Sequence, residues 1–141
     1  MLRDAAGSTP DPERAFKSLT TFFDNNPDYI DKLKADIIPI ALLFSYSQFL
    51  ANFCISNPDI LFNTLAEIDK AAGMESLSAS LREKLTGGNE NAKVVCRFKK
   101  KELLRITLRD ILKKADLTET MLELSMLADV IVDESLKVIK K

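Results

Sequence analysis

Histidine is absent from all 141 residues. That removes His-based nucleophile activation, most zinc sites and any imidazole pH switch. Cysteine is nearly absent as well. Cys54 and Cys96 stand 42 positions apart, too few for a disulfide scaffold or a metal knuckle. Two reduced thiols fit a cytoplasmic protein. Four Gly and five Pro are far below the share of a collagen-like, loop-rich or disordered chain. No Gly-rich loop leads into Lys-Ser or Lys-Thr, and Gly-x-Gly-x-x-Gly does not occur, so the common phosphate cradles are missing. Asp-x-Asp is missing too, and with it a frequent carboxylate pair of two-metal phosphoryl transfer. Gly87-Gly88, followed by Asn-Glu-Asn, suits a turn and at most a weak anion nest. Cys54 sits between Phe53 and Ile55, where a thiol is inert, whereas Cys96 lies near Arg97 and Lys99, whose charges favour a thiolate. On these residues the chain is expected to hold no catalytic residue, no cofactor-binding residue and no metal ligand.

What is present is helical patterning. The length fits one domain able to bury a core. Residues 1–10 contain no apolar run, so they read as a disordered tail and not a signal peptide. Asp11-Pro12-Glu13 reads as a helix start, followed by Phe16, Leu19 and Phe23 as an apolar stripe. Pro27 opens the next helix, with Ile30, Leu33 and Ile37 on one side, and Pro39 interrupts or restarts it. From Ile37 to Pro58 there are 22 residues without a charge. The polar residues within that run and a break at Phe44-Ser45-Tyr46-Ser47 predict two short buried helices rather than a membrane span. Asn57-Pro58 begins another helix, lined by Leu61, Leu65 and Ile68 and stopped at Gly73; Leu77, Leu81 and Leu85 line the one after it. Beyond Gly87-Gly88 come two long segments, the second starting at Thr118 with Met121, Leu124, Ala128 and Ile131 at near-heptad spacing. No stretch alternates with period two. The fold class is therefore all-α, a multi-helix domain with a long carboxy-terminal helical hairpin. Residues 11–141 form the single helical domain, with a compact front over 11–86 and the hairpin over 90–141.

Charge is segregated in the rear half. Between Arg97 and Lys114 the balance is +6, and between Asp116 and Glu134 it is −6. Arg97, Lys101, Arg105 and Arg109 recur every four residues and share one ridge. The plain expectation is that two antiparallel helices face each other with opposite charge. The sharper one is that the ridge faces phosphate or a catalytic core. Only Phe98 is interleaved with the basic residues, so base stacking has little to act on and the pattern argues against nucleic acid.

The run Arg97-Phe98-Lys99-Lys100-Lys101-Glu102-Leu103-Leu104-Arg105-Ile106-Thr107-Leu108-Arg109-Asp110-Ile111-Leu112 resembles a helix of the glutamine synthetase adenylyltransferases, the helix that precedes their nucleotidyltransferase core. Ala115-Asp116-Leu117, Glu123-Leu124-Ser125 and Leu127-Ala128-Asp129 continue the likeness. Upstream, Leu43-Phe44, Ser47, Phe49-Leu50-Ala51, Asn57-Pro58-Asp59-Ile60-Leu61 and Asp11-Pro12-Glu13-Arg14-Ala15 also resemble that family. Departures are Ser45 for a common Gly, Asn57 for His, Thr107 for Gly, and Lys113-Lys114 for Gly-Leu. The resemblance implies the amino-terminal helical region of an enzyme that adds or removes AMP on a tyrosine of glutamine synthetase under control of a PII protein. It implies that ATP and magnesium belong to a core outside the matched residues, and that the partners are that core, glutamine synthetase and the PII protein. No catalytic residue carries over. The alternative is a stand-alone helical interaction module that docks a protein or RNA.

Overall fold

Prolines and short polar caps set most helix boundaries. The computed structural model describes residues 2–70, 73–85 and 91–139. Among the described residues there are nine α-helices, one 3-10 turn and no strand, and the chain is all-α. The Gly87-Gly88 loop lies outside the described residues. Residues fall into two compact units, Met1–Glu67 and Ile68–Lys141. This differs from the expected single domain with an internal break near Gly87.

The first unit holds α1 (Leu2–Gly7), α2 (Pro12–Asn25), a 3-10 turn (Pro27–Tyr29), α3 (Ile30–Ala35), α4 (Ile37–Tyr46), α5 (Gln48–Ser56) and α6 (Pro58–Ala66). The expected tail is in fact partly helical. In α1 the small Ala5 and Ala6 are buried, and α1 packs on α2 and α4, with the Arg3 guanidinium 4.2 Å from the centre of the Phe16 ring. Asp11 caps α2, its carboxylate accepting the Arg14 N–H at 3.1 Å. The buried face of α2 is Ala15, Ser18, Leu19 and Phe22. Phe23, expected in the stripe, is 36% exposed, because the small Ala15 and Ser18 turn the helix towards its neighbours. Pro39 sits in the first turn of α4, where its missing N–H costs no intrahelical bond. Ser47 ends α4 and caps α5, accepting the Leu50 N–H at 3.1 Å, so the uncharged run is two short helices. Among the described residues no helix is long and apolar enough to cross a membrane.

The core of this unit is aliphatic and aromatic. Leu19, Phe22, Leu33, Ile40, Leu43, Phe44 and Leu61 are fully buried. Phe22 meets Phe44 and Phe62 at 6.1 Å between ring centres, and Tyr29 stacks on Phe62 at 5.5 Å, both favourable aromatic arrangements.

The second unit is α7 (Met74–Lys84), α8 (Asn91–Ile111) and α9 (Leu117–Ile139). Gly73 precedes α7 instead of ending a longer α6, which stops at Ala66. α7 belongs with the rear helices because Leu77 and Leu81 join Phe98, Ile106, Leu127 and Val130 in one apolar cluster. α8 closes with Lys113 at φ 61°, and the Arg109 carbonyl accepts both the Lys114 and Ala115 N–H groups. Asp116, not Thr118, caps α9: its carboxylate accepts the Glu119 N–H at 2.7 Å.

Candidate functional site

A ridge built on four-residue steps does not run straight along a helix. Each step overshoots a full turn by about 40°, so the ridge winds about 120° around α8 between Arg97 and Arg109. The structure shows the result. Arg97 and Lys101 are exposed, Arg105 is mostly covered, and Arg109 is 3% exposed. One basic ridge thus has a solvent half and a core half.

The core half is an ion network between α8 and α9. Arg105 Nη1 donates to Glu123 Oε1 at 2.7 Å, and Arg105 Nε to Glu102 Oε2 at 3.0 Å. Arg109 Nη2 donates to Glu119 Oε1 at 3.0 Å, while its Nη1 donates to the Ile68 carbonyl at 2.6 Å. Arg109 Nε faces Glu123 Oε2 at 4.0 Å, beyond hydrogen-bond reach. Thr120 Oγ1 and Asp110 Oδ1 meet at 3.3 Å next to these pairs. Burial opposes the charge of Arg105, but the Glu123 and Glu102 carboxylates outweigh it and hold its pKa above the ordinary arginine value. Glu123 is 2% exposed. A buried carboxylate of this kind is tolerable only with cations in place.

A second buried acid lies further along α9. Glu134, 2% exposed, accepts from Arg82 Nη2 at 2.9 Å and Nε at 3.3 Å in a two-pronged pair. Arg82, helped by Lys137, holds the Glu134 carboxyl below the usual carboxylate range.

These contacts correct the expected seam of α9. Its inner face is Thr120, Glu123, Leu127, Val130 and Glu134, one position ahead of the Met121, Leu124, Ala128, Ile131 set. Met121 is 60% and Leu124 is 41% exposed. The acids not singled out from the sequence are Glu119 and Glu123, which meet α8, Glu134, which meets α7, and Glu102, which pairs with Arg105 within α8. One signal was available. The pairs 105/123 and 109/119 share the same sum of residue numbers, as antiparallel helices require.

On the solvent half, Arg97, Lys99 and Lys101 are exposed. Lys84 of α7 lies with its ammonium 5.6 Å from the Phe98 ring centre. Partial burial, then the nearby Lys101 and Arg97 charges, lower the Lys84 pKa, against the opposing pull of Glu102 and Glu83. Elsewhere the chemistry is sparse. Burial pushes the Cys54 thiol up to about 12, so it stays protonated, while Cys96 is exposed. A groove of about 380 Å³ beside α1 and α2 is lined by Arg3, Ala6, Gly7, Pro12, Glu13 and Phe16. Among the described residues, no group of three or more His, Cys, Asp or Glu is placed to hold a metal ion.

What the geometry can do is position helices. The buried pairs fix α9 against α7 and α8 and leave two outward faces, one basic on α8 and one apolar on α9. No curated protein and no solved structure matches the chain. A family model described as glutamate-ammonia ligase adenylyltransferase matches residues 38–141. That span takes in α4 from its second residue and all of α5 to α9, including both partners of every ion pair in the buried network. The chain belongs to the glutamate-ammonia ligase adenylyltransferase family.

Proposed function

We propose that this chain is a non-catalytic helical module of a glutamine synthetase adenylyltransferase, bracing a nucleotidyltransferase core that adds or removes AMP on glutamine synthetase. The observation that supports this reading is where the buried charge goes. Arg105, Arg109, Glu123 and Glu134 each meet an opposite charge on another helix of the same unit. Groups held in that way order a scaffold and are not presented to a substrate. In this reading the core holds ATP and magnesium and is the direct partner. Glutamine synthetase and a PII signal protein meet the module only as part of the assembled, cytoplasmic enzyme. Within the ridge, Arg97 and Lys101 are the residues free to face the core, while Arg105 and Arg109 hold the module together.

The test is AMP incorporation into glutamine synthetase with ATP and magnesium. The chain alone leaves the synthetase unmodified, and a separately prepared core binds the chain and is made more active or more heat-stable by it. Incorporation by the chain alone, above blank, overturns the non-catalytic reading. A core indifferent to the chain overturns the bracing one.

A further inference from the structure

The ion network between α8 and α9 leaves hydrogen-bonding capacity unspent at one place. Four of the six guanidinium nitrogens of Arg105 and Arg109 donate to oxygen. Arg105 Nε and Nη1 donate to Glu102 and Glu123, and Arg109 Nη1 and Nη2 to the Ile68 carbonyl and Glu119. The other two, Arg105 Nη2 and Arg109 Nε, are buried and meet no acceptor among the described residues. Both border the same carboxylate. Arg105 reaches Glu123 through the neighbouring Nη1 at 2.7 Å, and Arg109 Nε stands 4.0 Å from Glu123 Oε2. A buried N–H of a charged group is costly to leave unmade, and in folded proteins such groups are met by protein or by held solvent. We propose that one water molecule is bound at this point of the seam, accepting from Arg105 Nη2 and Arg109 Nε and donating to Glu123 Oε2.

Polarity, charge and room select water over other occupants. Two N–H donors exclude a cation. The pairs already set three carboxylates, Glu102, Glu119 and Glu123, against two guanidiniums, so a further anion such as chloride would add to a negative excess. The occupant must therefore be neutral, accept two hydrogen bonds and donate one to a carboxylate. Water does all three, and three partners are the usual number for a buried water. Two hydrogen bonds of about 2.8 Å that meet at one oxygen span the observed 4.0 Å when they open to roughly 90°, somewhat inside the tetrahedral angle. A larger guest is shut out, since the Arg109 and Glu123 side chains are only 4% and 2% exposed. Held there, the water turns the approach of Arg109 to Glu123, too long for a direct bond, into a bonded link. It joins the pairs 105/123 and 109/119 into one network.

The proposal goes beyond the bracing reading, and its test involves neither the core nor AMP transfer. The first measurement is a high-resolution crystal structure of the full chain, grown with sodium bromide as the only halide. It shows one density peak, without anomalous signal at the bromine edge, within about 2.7–3.2 Å of Arg105 Nη2, Arg109 Nε and Glu123 Oε2. A peak that carries the bromine signal assigns the site to an anion and overturns the proposal. So does a direct hydrogen bond from Arg109 Nε to Glu123 Oε2, or the lack of any peak. The second measurement is made in solution on the chain with isotope-labelled arginine. The Arg109 Nε–H gives a cross-peak to water of opposite sign in NOE and ROE spectra, the mark of a held molecule. Proton exchange gives the same sign in both, as expected for the exposed Arg97. Exchange alone at Arg109, or no cross-peak to water, overturns the proposal as well.

Discussion

The two units bury opposite kinds of side chain. The first closes over Phe22, Phe44, Leu19 and Ile40, with Ser18, Ser45 and Thr64 as its buried polar residues. The second has an apolar cluster of its own, but beside it lie Arg109, Glu123 and Glu134. An apolar core is non-directional and tolerates volume-conserving change. A charged one is directional: each member depends on its counter-charge, and removing one strands the others. The first unit is thus fixed by packing and the second by pairing as well.

The largest effect expected from this contrast is on Glu123. Glu123→Ala leaves two guanidiniums buried with fewer counter-charges and is expected to destabilise the chain by about 3–5 kcal/mol. Ile40→Val, at a fully buried site of the first unit, is expected to cost only about 0.5–1.5 kcal/mol. Urea unfolding of both variants measures the difference, and equal losses would erase the distinction between the units. A double change, Arg105→Met with Glu123→Leu, sharpens it. If pairing adds specificity rather than net stability, the double variant recovers most of what Glu123→Ala loses.

A smaller effect, of opposite sign, is expected at Lys113. Its φ of 61° lies in the left-handed region, which penalises a Cβ by about 1–2 kcal/mol. Lys113→Gly relieves that strain at the cost of a more flexible unfolded chain. A net gain of a few tenths to about 1 kcal/mol is expected, read as a raised Tm. The resemblance to the adenylyltransferases places a common Gly at this same position, so the one departure with a clear backbone cost falls where a helix must end.

The smallest effect concerns pH. Arg82 lowers the pKa of Glu134 in the folded chain. Its contribution is therefore complete above the unfolded carboxyl pKa of about 4.3 and is lost as the pH falls through the lower folded value. Glu134→Gln is expected to flatten that acid-side decline and leave the slope near neutrality unchanged. A pH series of thermal melts for both proteins checks it.

Helix existence was legible in the sequence because caps and prolines act locally: Asp11, Ser47 and Pro58 mark starts the structure keeps. Helix rotation was less so. On α2 the eye follows Phe16 and Phe23, yet Ala15 and Ser18 face inward, since small residues permit close approach without adding to an apolar pattern. On α9 the better apolar stripe is the outer one. Its inner face contains Glu123 and Glu134, and only partners distant in the chain, Arg105 and Arg82, make their burial tolerable. α1 was missed because two buried alanines order it, which no periodicity over six residues reveals. The basic ridge was legible as a ridge; its division between solvent and core depended on how far the helix turns in twelve residues.

The pairing of Arg105 with Glu123 and of Arg109 with Glu119 also limits how the second unit can move. Apolar seams allow one helix to ratchet past another by a turn, trading one knob for the next. A slip of α9 by one turn, about 5.4 Å, in one direction sets Glu119 against Arg105 and carries the acid off Arg109; in the other it sets Glu123 against Arg109 and leaves Arg105 opposite Leu127. Either slip also draws Glu134 away from Arg82. A slide of this seam thus loses ion pairs in both directions, whereas a bend of α9 can keep them, and a signal crossing the unit is expected to travel as a hinge and not a slide.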